Sequence, residues 1–268
     1  MSWPADRNFD DLAHRFKRNV YDRLKGDIRL EVLHRDLQQH IPELYFQPLK
    51  KPLRILDAGG GQGQFSMSLA AAGHELVLCD LSENMLQLAR DNAEELGVAE
   101  RVSFYHGSIQ EFVHDNSVPF DLVLCHAVLE WVSSPASLMD ALQQLVRPGG
   151  YLSLTFYNVN GTILKNLLRA NFQKVVDDDY RGYRGSLTPT YPRDPQKVYS
   201  WLQQRSFSEL CRSGIRCFHD YILDPELRDQ QPETQLQLEL RLSREEPWLS
   251  LGRYIHVLSR NGDQAFNK

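Results

Sequence analysis

Leu53-Arg54-Ile55-Leu56-Asp57-Ala58-Gly59-Gly60-Gly61-Gln62-Gly63 is an apolar run that ends in an acid and then turns through glycines towards a helical stretch. A short buried strand needs such a run, and glycine lets the backbone turn sharply and approach a ligand closely. The helix start that follows attracts negative charge. In a doubly wound α/β sheet this loop stands at the carboxyl edge beside the switch point in strand order, where ligands bind.

Similar texture extends outward from this stretch. Short apolar runs at 53–56, 75–79, 102–105, 120–126 and 151–157 alternate with helical segments near 64–72, 83–96 and 135–146. Strands joined by crossovers predict a parallel sheet covered on both faces. Pro148-Gly149-Gly150 reads as the turn that ends a helix and launches the fifth strand. Residues 159–194 read as an insertion, followed by a helix near 196–205. Strands near Arg212–Tyr221 and Tyr254–Ser259 then flank a polar helix from about Pro225 to Arg244. The expected sheet is seven-stranded and mostly parallel, with a terminal antiparallel strand. Ahead of it, apolar spacing from Phe9 to Leu24 predicts an amphipathic helix closed by Gly26, and a second helix runs from Ile28 to Ile41. The expected organisation is a helical segment, 1–49, packed on a main domain, 50–268, that includes the insertion.

The 268 residues are 42% hydrophobic and 24% charged, the balance of an ordinary soluble protein. No apolar run approaches the roughly 20 residues that cross a bilayer, and the N-terminus lacks the apolar core of a secretory signal. Cys79, Cys125, Cys211 and Cys217 form no C-x-x-C pair and no metal-ligand spacing. A cytoplasmic protein without a bound metal is expected. A net charge of −5 argues against a large nucleic-acid footprint while leaving room for local basic patches.

Three acids and edge groups carry the chemistry. Asp57 precedes the glycine loop, and Asp80 ends the second strand in Leu76-Val77-Leu78-Cys79-Asp80-Leu81-Ser82. An acid there can accept hydrogen bonds from both hydroxyls of a ribose, while Ser82 caps the next helix. Gln64 occupies the third glycine's place in a dinucleotide G-x-G-x-x-G, which disfavours a nicotinamide dehydrogenase. His126 ends a buried fourth strand in Phe120-Asp121-Leu122-Val123-Leu124-Cys125-His126-Ala127-Val128-Leu129-Glu130-Trp131. Alone, such a histidine is more often a satisfied edge residue than a functional one. Glu130 and Trp131 read equally as packing or as pocket wall. No Ser-His-Asp, Cys-His or metal constellation is evident, so no catalytic residue is assigned.

Across roughly residues 50–160 these features resemble the class I S-adenosylmethionine-dependent methyltransferases. The resemblance implies that Asp57, Gly59, Gly60 and Gly61 lie under the methionine part of that cofactor. It further implies that Asp80 holds the ribose, that Ile109 and Gln110 in Gly107-Ser108-Ile109-Gln110 flank adenine, and that His126 is a cofactor contact. Further stretches span nearly the whole chain: Arg7-Asn8-Phe9-Asp10-Asp11, His126-Ala127-Val128-Leu129-Glu130-Trp131, Phe156-Tyr157-Asn158, Tyr191-Pro192-Arg193-Asp194-Pro195, Phe218-His219-Asp220-Tyr221 and Gly252-Arg253-Tyr254-Ile255-His256. They resemble one bacterial subfamily, which methylates the carboxylate of 5-carboxymethoxyuridine at the tRNA wobble position. The subfamily likeness also implies that Arg29 reaches the cofactor.

A carboxylate, with a reference pKa near ~4, is ionised at neutral pH and needs no general base. Orientation and water exclusion then carry the rate. Candidate substrate grips at the cofactor edge are Tyr157, Arg193, Arg253 and Tyr254, with Arg193 and Arg253 equally readable as surface ion-pair residues. The sixth strand is expected to reach this edge at His219-Asp220-Tyr221. Two basic stretches are candidate contacts to a tRNA anticodon stem-loop: His14, Arg15, Lys17, Arg18, Arg23 and Lys25, and Tyr180-Arg181-Gly182-Tyr183-Arg184-Gly185. Competing readings are a methyltransferase of a small carboxylic acid or other metabolite, and a non-catalytic S-adenosylmethionine-binding partner protein.

Overall fold

Strands β1 (Arg54–Ala58), β2 (Glu75–Asp80), β3 (Val102–His106), β4 (Phe120–His126), β5 (Val146–Tyr157), β6 (Phe207–Ile215) and β7 (Tyr254–Asn261) form one sheet in a computed structural model of the chain. The structure describes residues 24–180 and 188–262. Strand order is β3-β2-β1-β4-β5-β7-β6. β1 to β5 run parallel, and β7 lies antiparallel between β5 and β6. The order reverses at β1, so the loops after β1 and β4 diverge there and leave a crevice at the carboxyl edge.

Helices cover both faces. α1 (Leu24–His40), α2 (Ser66–Ala71) and α3 (Glu83–Glu95) pack Leu33, Leu37, Met67, Leu69, Leu86 and Ala89 against Ile55, Leu76, Leu78 and Leu124 on one side. On the other, α4 (Ile109–Asp115), α5 (Pro135–Leu145) and α8 (Pro195–Gln204) bury Phe112, Leu138, Leu142 and Leu202. Burying an apolar side chain of this size stabilises by about 1.5–3 kcal/mol, so these two layers anchor the edge loops. α6 (Val159–Leu168) and α7 (Phe172–Val176) belong to the insertion, and α9 (Pro232–Leu242) and α10 (Trp248–Leu251) precede β7.

Local chemistry explains several departures from the expected elements. Gly26 does not end a helix: α1 runs through it, and its side of the helix is buried. The helix expected over Phe9–Leu24 falls outside the described residues except for Leu24. α4 was not expected; Ser108 and Glu111 form a capping box, with Glu111 N donating to Ser108 Oγ at 3.1 Å and Ser108 N donating to Glu111 Oε2 at 2.8 Å. Pro148-Gly149-Gly150 is not a turn before β5 but an irregularity within it, since Val146 already pairs with Phe120. The sixth strand stops at Ile215 instead of reaching Tyr221. Arg216 turns into the left-handed region at φ +59, and the buried Glu239 carboxylate of α9 then accepts from the backbone N–H groups of Cys217, Phe218 and His219 at 2.7, 3.1 and 2.9 Å. Those donors can no longer extend a ladder, and His219–Tyr221 becomes a 3₁₀ turn.

The described cysteines are free, and three of the four, Cys79, Cys125 and Cys217, are buried. Among the described residues no His/Cys/Asp/Glu cluster is placed to hold a metal, and no helix is long and apolar enough to cross a membrane.

Candidate functional site

A cavity of about 1210 Å³, counted to its open mouth, lies over the crevice between β1 and β4. Arg29, Asp57, Gly59, Gly60, Gly61, Asp80, Ile109, Gln110 and His126 all line it.

The glycine loop is stitched to the end of β2. Gly59 N and Gly60 N both donate to Cys79 O, at 2.8 and 3.2 Å, and Gly61 N donates to Asp80 Oδ2 at 2.8 Å. These amides are therefore spent on protein. At Gly60 a Cβ would come within 2.5 Å of the Asp57 carboxyl carbon; at Gly59, with φ +73, it would come within 2.5 Å of Val128 Cγ2. α2 opens with Met67 N donating to Gly63 O, and Ser66 Oγ donates to Asp57 Oδ2 at 2.5 Å. Burial, opposed by the Ser66 hydrogen bond, pushes the Asp57 carboxyl up to about 6.

Asp80 Oδ1 accepts from Ser82 N at 2.9 Å. With one backbone donor on each oxygen the carboxylate is fixed in place, and a carboxylate retains lone pairs for further donors such as vicinal hydroxyls. Gly107, Ser108, Ile109 and Gln110 form the facing wall. At the other end His126 Nε2 lies 2.8 Å from Ser153 Oγ. Burial first, then the charges of Arg29 and His256, holds His126 well below the usual histidine range, so the ring is neutral. Ala127, the next residue, is left-handed at φ +60, with its N–H on Thr155 O. Such a conformation in an L-residue stores strain of about 1–3 kcal/mol, and sequence offered no sign of it. Trp131 is a pocket wall, which resolves one open reading; Glu130 does not line the cavity. The Glu130 carboxyl is fully buried with neither oxygen hydrogen-bonded, and burial pushes it up to about 7.

Beside the cavity, the structure brings together Tyr157, Arg253 and Tyr254. Arg253 Nη2 donates to the Tyr157 hydroxyl, Nη1 donates to Gly161 O at 2.7 Å, and Nε lies 3.1 Å from Asp220 Oδ2. The Tyr157 and Tyr254 rings meet edge to face at 5.2 Å, and the Arg29 guanidinium lies 5.9 Å from the Tyr254 centroid, linking this cluster to the cavity wall. Arg193 is not part of it. Its Nε and Nη2 donate to Leu129 O at 2.9 and 2.6 Å, and Nη2 also to Val132 O at 2.7 Å, so its side chain braces the turn after β4.

Two cations that sequence reading missed complete the cluster. Arg216 stacks on Tyr254 at 5.3 Å and approaches Asp220 only to 3.5 Å, with its buried Nε unpartnered. Burial, with Arg253 nearby, brings Lys165 down to about 8. Burial opposes ionisation of Asp220, but Arg216 and Arg253 outweigh it and hold the carboxyl well below its ordinary range. Four cations, Arg216, Arg253, Lys165 and Lys25, thus act on a single buried carboxylate. The left-handed Arg216 is the structural sign of this arrangement, and no residue pattern in the sequence announces it. The basic stretch at 14–25 lies outside the described residues except Lys25, as does 180–185 except Tyr180.

A family model described as "Methyltransferase domain" matches residues 49–206. The Escherichia coli (strain K12) protein named tRNA 5-carboxymethoxyuridine methyltransferase is 42% identical over 255 residues, covering 95% of this chain and 96% of that protein. A ubiquinone biosynthesis O-methyltransferase of Aromatoleum aromaticum is 43% identical over 161 residues, covering 60% and 62% of the two chains. Magnesium protoporphyrin IX methyltransferase from Synechocystis, at 16% identity, shares the fold with a TM-score of 0.61 over 95% of this chain and 96% of that one. With its cavity at the switch point, its seven-stranded sheet and this likeness along nearly its whole length, the chain belongs to the class I S-adenosylmethionine-dependent methyltransferases, in the family of the tRNA 5-carboxymethoxyuridine methyltransferases.

Proposed function

We propose that the protein methylates the carboxylate of 5-carboxymethoxyuridine at the wobble position of tRNA, giving the methyl ester, with S-adenosylmethionine as donor. The observation that carries this reading is the cation excess of Arg216, Arg253 and Lys165 beside the cofactor cavity, which suits an anionic acceptor. The end-to-end likeness to the Escherichia coli enzyme supports the particular nucleoside and an anticodon stem-loop as the partner.

The cofactor fits the residues present. Glycines at 59 and 60 let the loop close tightly on Val128 and Asp57 at the cavity wall, Asp80 lines the cavity with its carboxylate held by backbone amides where a ribose could meet it, and Ile109 and Gln110 offer a wall for adenine. Arg29 suits the cofactor's carboxylate, and His126 its amino-acid end. When bound, the cofactor supplies an electrophilic methyl group on a cationic sulfur.

The protein's own task is placement. The acceptor is already ionised, so no side chain has to remove a proton. Opposite charges cancel as the methyl group moves. A tight grip on the attacking oxygen would therefore stabilise the ground state more than the transition state. Arg216 and Lys165 accordingly hold the other carboxylate oxygen, Arg253 and Asp220 keep Tyr157 in position, and Trp131 with Val128 excludes water.

Mass spectrometry of nucleosides from 5-carboxymethoxyuridine-bearing tRNA, incubated with protein and S-adenosylmethionine, tests the reading. The methyl ester is the expected product. Unchanged nucleosides from a protein shown to bind S-adenosylhomocysteine would transfer the activity to a small carboxylic acid.

A further inference from the structure

Four polar side chains, three of them buried, run in single file from α1 across the sheet. Asp36 Oδ2 of α1 lies 2.7 Å from His256 Nδ1 of β7, His256 Nε2 lies 2.9 Å from Ser153 Oγ of β5, and the same hydroxyl lies 2.8 Å from His126 Nε2 of β4. Asp36, His256 and Ser153 are completely buried, and only His126 reaches the cavity. An Asp-His-Ser series of this geometry invites comparison with a nucleophilic triad. The hydroxyl here has no access to any substrate, and a second histidine occupies the place an electrophile would take.

Donor and acceptor logic fixes what the chain does. Arg35 Nη2 and Arg244 Nη2 also donate to Asp36 Oδ1, at 2.8 and 2.6 Å. An ionised carboxylate only accepts, so His256 Nδ1 carries a proton. The serine has one proton to give and stands between two ring nitrogens. With His256 Nε2 bare, Ser153 donates to it and must accept from His126 Nε2–H, which leaves His126 Nδ1 as a bare acceptor. With one extra proton on His256, every bond reverses: Nε2–H donates to Ser153, Ser153 donates to His126 Nε2, and His126 Nδ1 becomes a donor. An ammonium group only donates, so a ligand of that kind at His126 Nδ1 matches the first of these two patterns. No described residue hydrogen-bonds His126 Nδ1, the nitrogen opposite the serine.

We propose that the Asp36–His256–Ser153 chain is a positioning relay that locks His126 as the Nε2–H tautomer, so that its Nδ1 accepts a hydrogen bond from the α-ammonium of the cofactor's methionine part. The neutral acceptor also spares a cationic ligand a like charge. Arg29 faces His126 across the cavity, and Asp36, Arg35, His40 and Arg244 surround His256 from α1 and the segment after α9. The relay rests on the cofactor assignment alone and is independent of the nucleoside methylated.

Two-bond ¹H–¹⁵N spectra of histidine-labelled, cofactor-free protein read the tautomer directly, and calorimetry with S-adenosylhomocysteine reads its consequence. The expected wild-type result is a proton on His126 Nε2 and none on Nδ1. Ser153→Ala is expected to mix the tautomers and to weaken S-adenosylhomocysteine by about tenfold, the scale of one lost hydrogen bond. His256→Gln keeps one donor and one acceptor but cannot take the extra proton. It is expected to keep the proton on His126 Nε2 and to bind within about threefold of wild type. A wild-type proton on Nδ1 would overturn the relay, as would an unchanged tautomer in Ser153→Ala, or mixed tautomers in His256→Gln. If Ser153→Ala fails to fold, His256→Gln and the wild-type spectrum still decide. If S-adenosylhomocysteine fails to bind wild type, the cofactor assignment falls and the relay with it, since its acceptor then has no ammonium to meet.

Discussion

Buried carboxyl groups meet opposite treatment on the two halves of the sheet. Around β1 and β4, Asp57 and Glu130 lack a hydrogen-bonded cation, and burial pushes them up to about 6 and about 7. Around β5, β6 and β7, burial is outweighed: the hydrogen bond from His256, with Arg35 beside it, holds Asp36 well below the carboxylate range, and Arg216 and Arg253 do the same for Asp220. Among the described residues Arg29 is the only lysine or arginine lining the cofactor cavity, whereas Arg216, Arg253 and Lys165 crowd the neighbouring cluster. The contrast suits a reaction between a cationic donor and an anionic acceptor, each met by protein of the complementary character.

The largest expected effect is on the cation-rich half. Asp36→Asn removes the buried carboxylate on which Arg35, Arg244 and the buried His256 converge, and is expected to cost about 3–4 kcal/mol in urea unfolding. Because the folded-state pKa of Asp36 is depressed, its stabilisation is present above the unfolded value near ~3.9 and is lost as pH falls towards the folded one. Wild type should therefore lose stability below about pH 4 more steeply than the variant does.

Asp57 should show the reverse sign. A buried acid with a raised pKa binds its proton more tightly when folded, so ligand-free stability falls as pH rises from about 4 to about 6 and then levels. The full drop is about 3 kcal/mol, and Asp57→Asn should remove it in denaturation curves recorded at several pH values. A smaller effect follows at Asp80: Asp80→Ala should weaken S-adenosylhomocysteine by about 100-fold in calorimetry, through loss of charge-assisted hydrogen bonds. Smallest is Arg216→Ala, expected to lower kcat/KM for the modified tRNA by about 30-fold.

The cofactor half was legible in the sequence because its chemistry is local. Asp57 and the glycines lie within five residues of one another, Asp80 and His126 each end an apolar run, and all line one cavity. The antiparallel last strand was equally readable, since no crossover precedes it. In the cationic half, Tyr157, Arg253, Tyr254 and Asp220 could be assigned to one edge, but Arg216 and Lys165 could not. Arg216, Asp220, Lys165 and Arg253 come from four separate elements, and their meeting depends on β6 ending early. That ending is imposed by Glu239, which lies more than 20 residues downstream and caps three backbone donors at once. Arg193 looked equivalent to Arg253 in sequence, yet one braces backbone carbonyls and the other faces Asp220. Nothing in the flanking residues separates the two roles.

Calorimetric titration of S-adenosylhomocysteine into Asp80→Ala and Arg216→Ala side by side puts the division of labour to its most direct test. The account predicts that the first variant loses the ligand while the second binds it as wild type does. Equal weakening in both, or undiminished binding to Asp80→Ala, would contradict it.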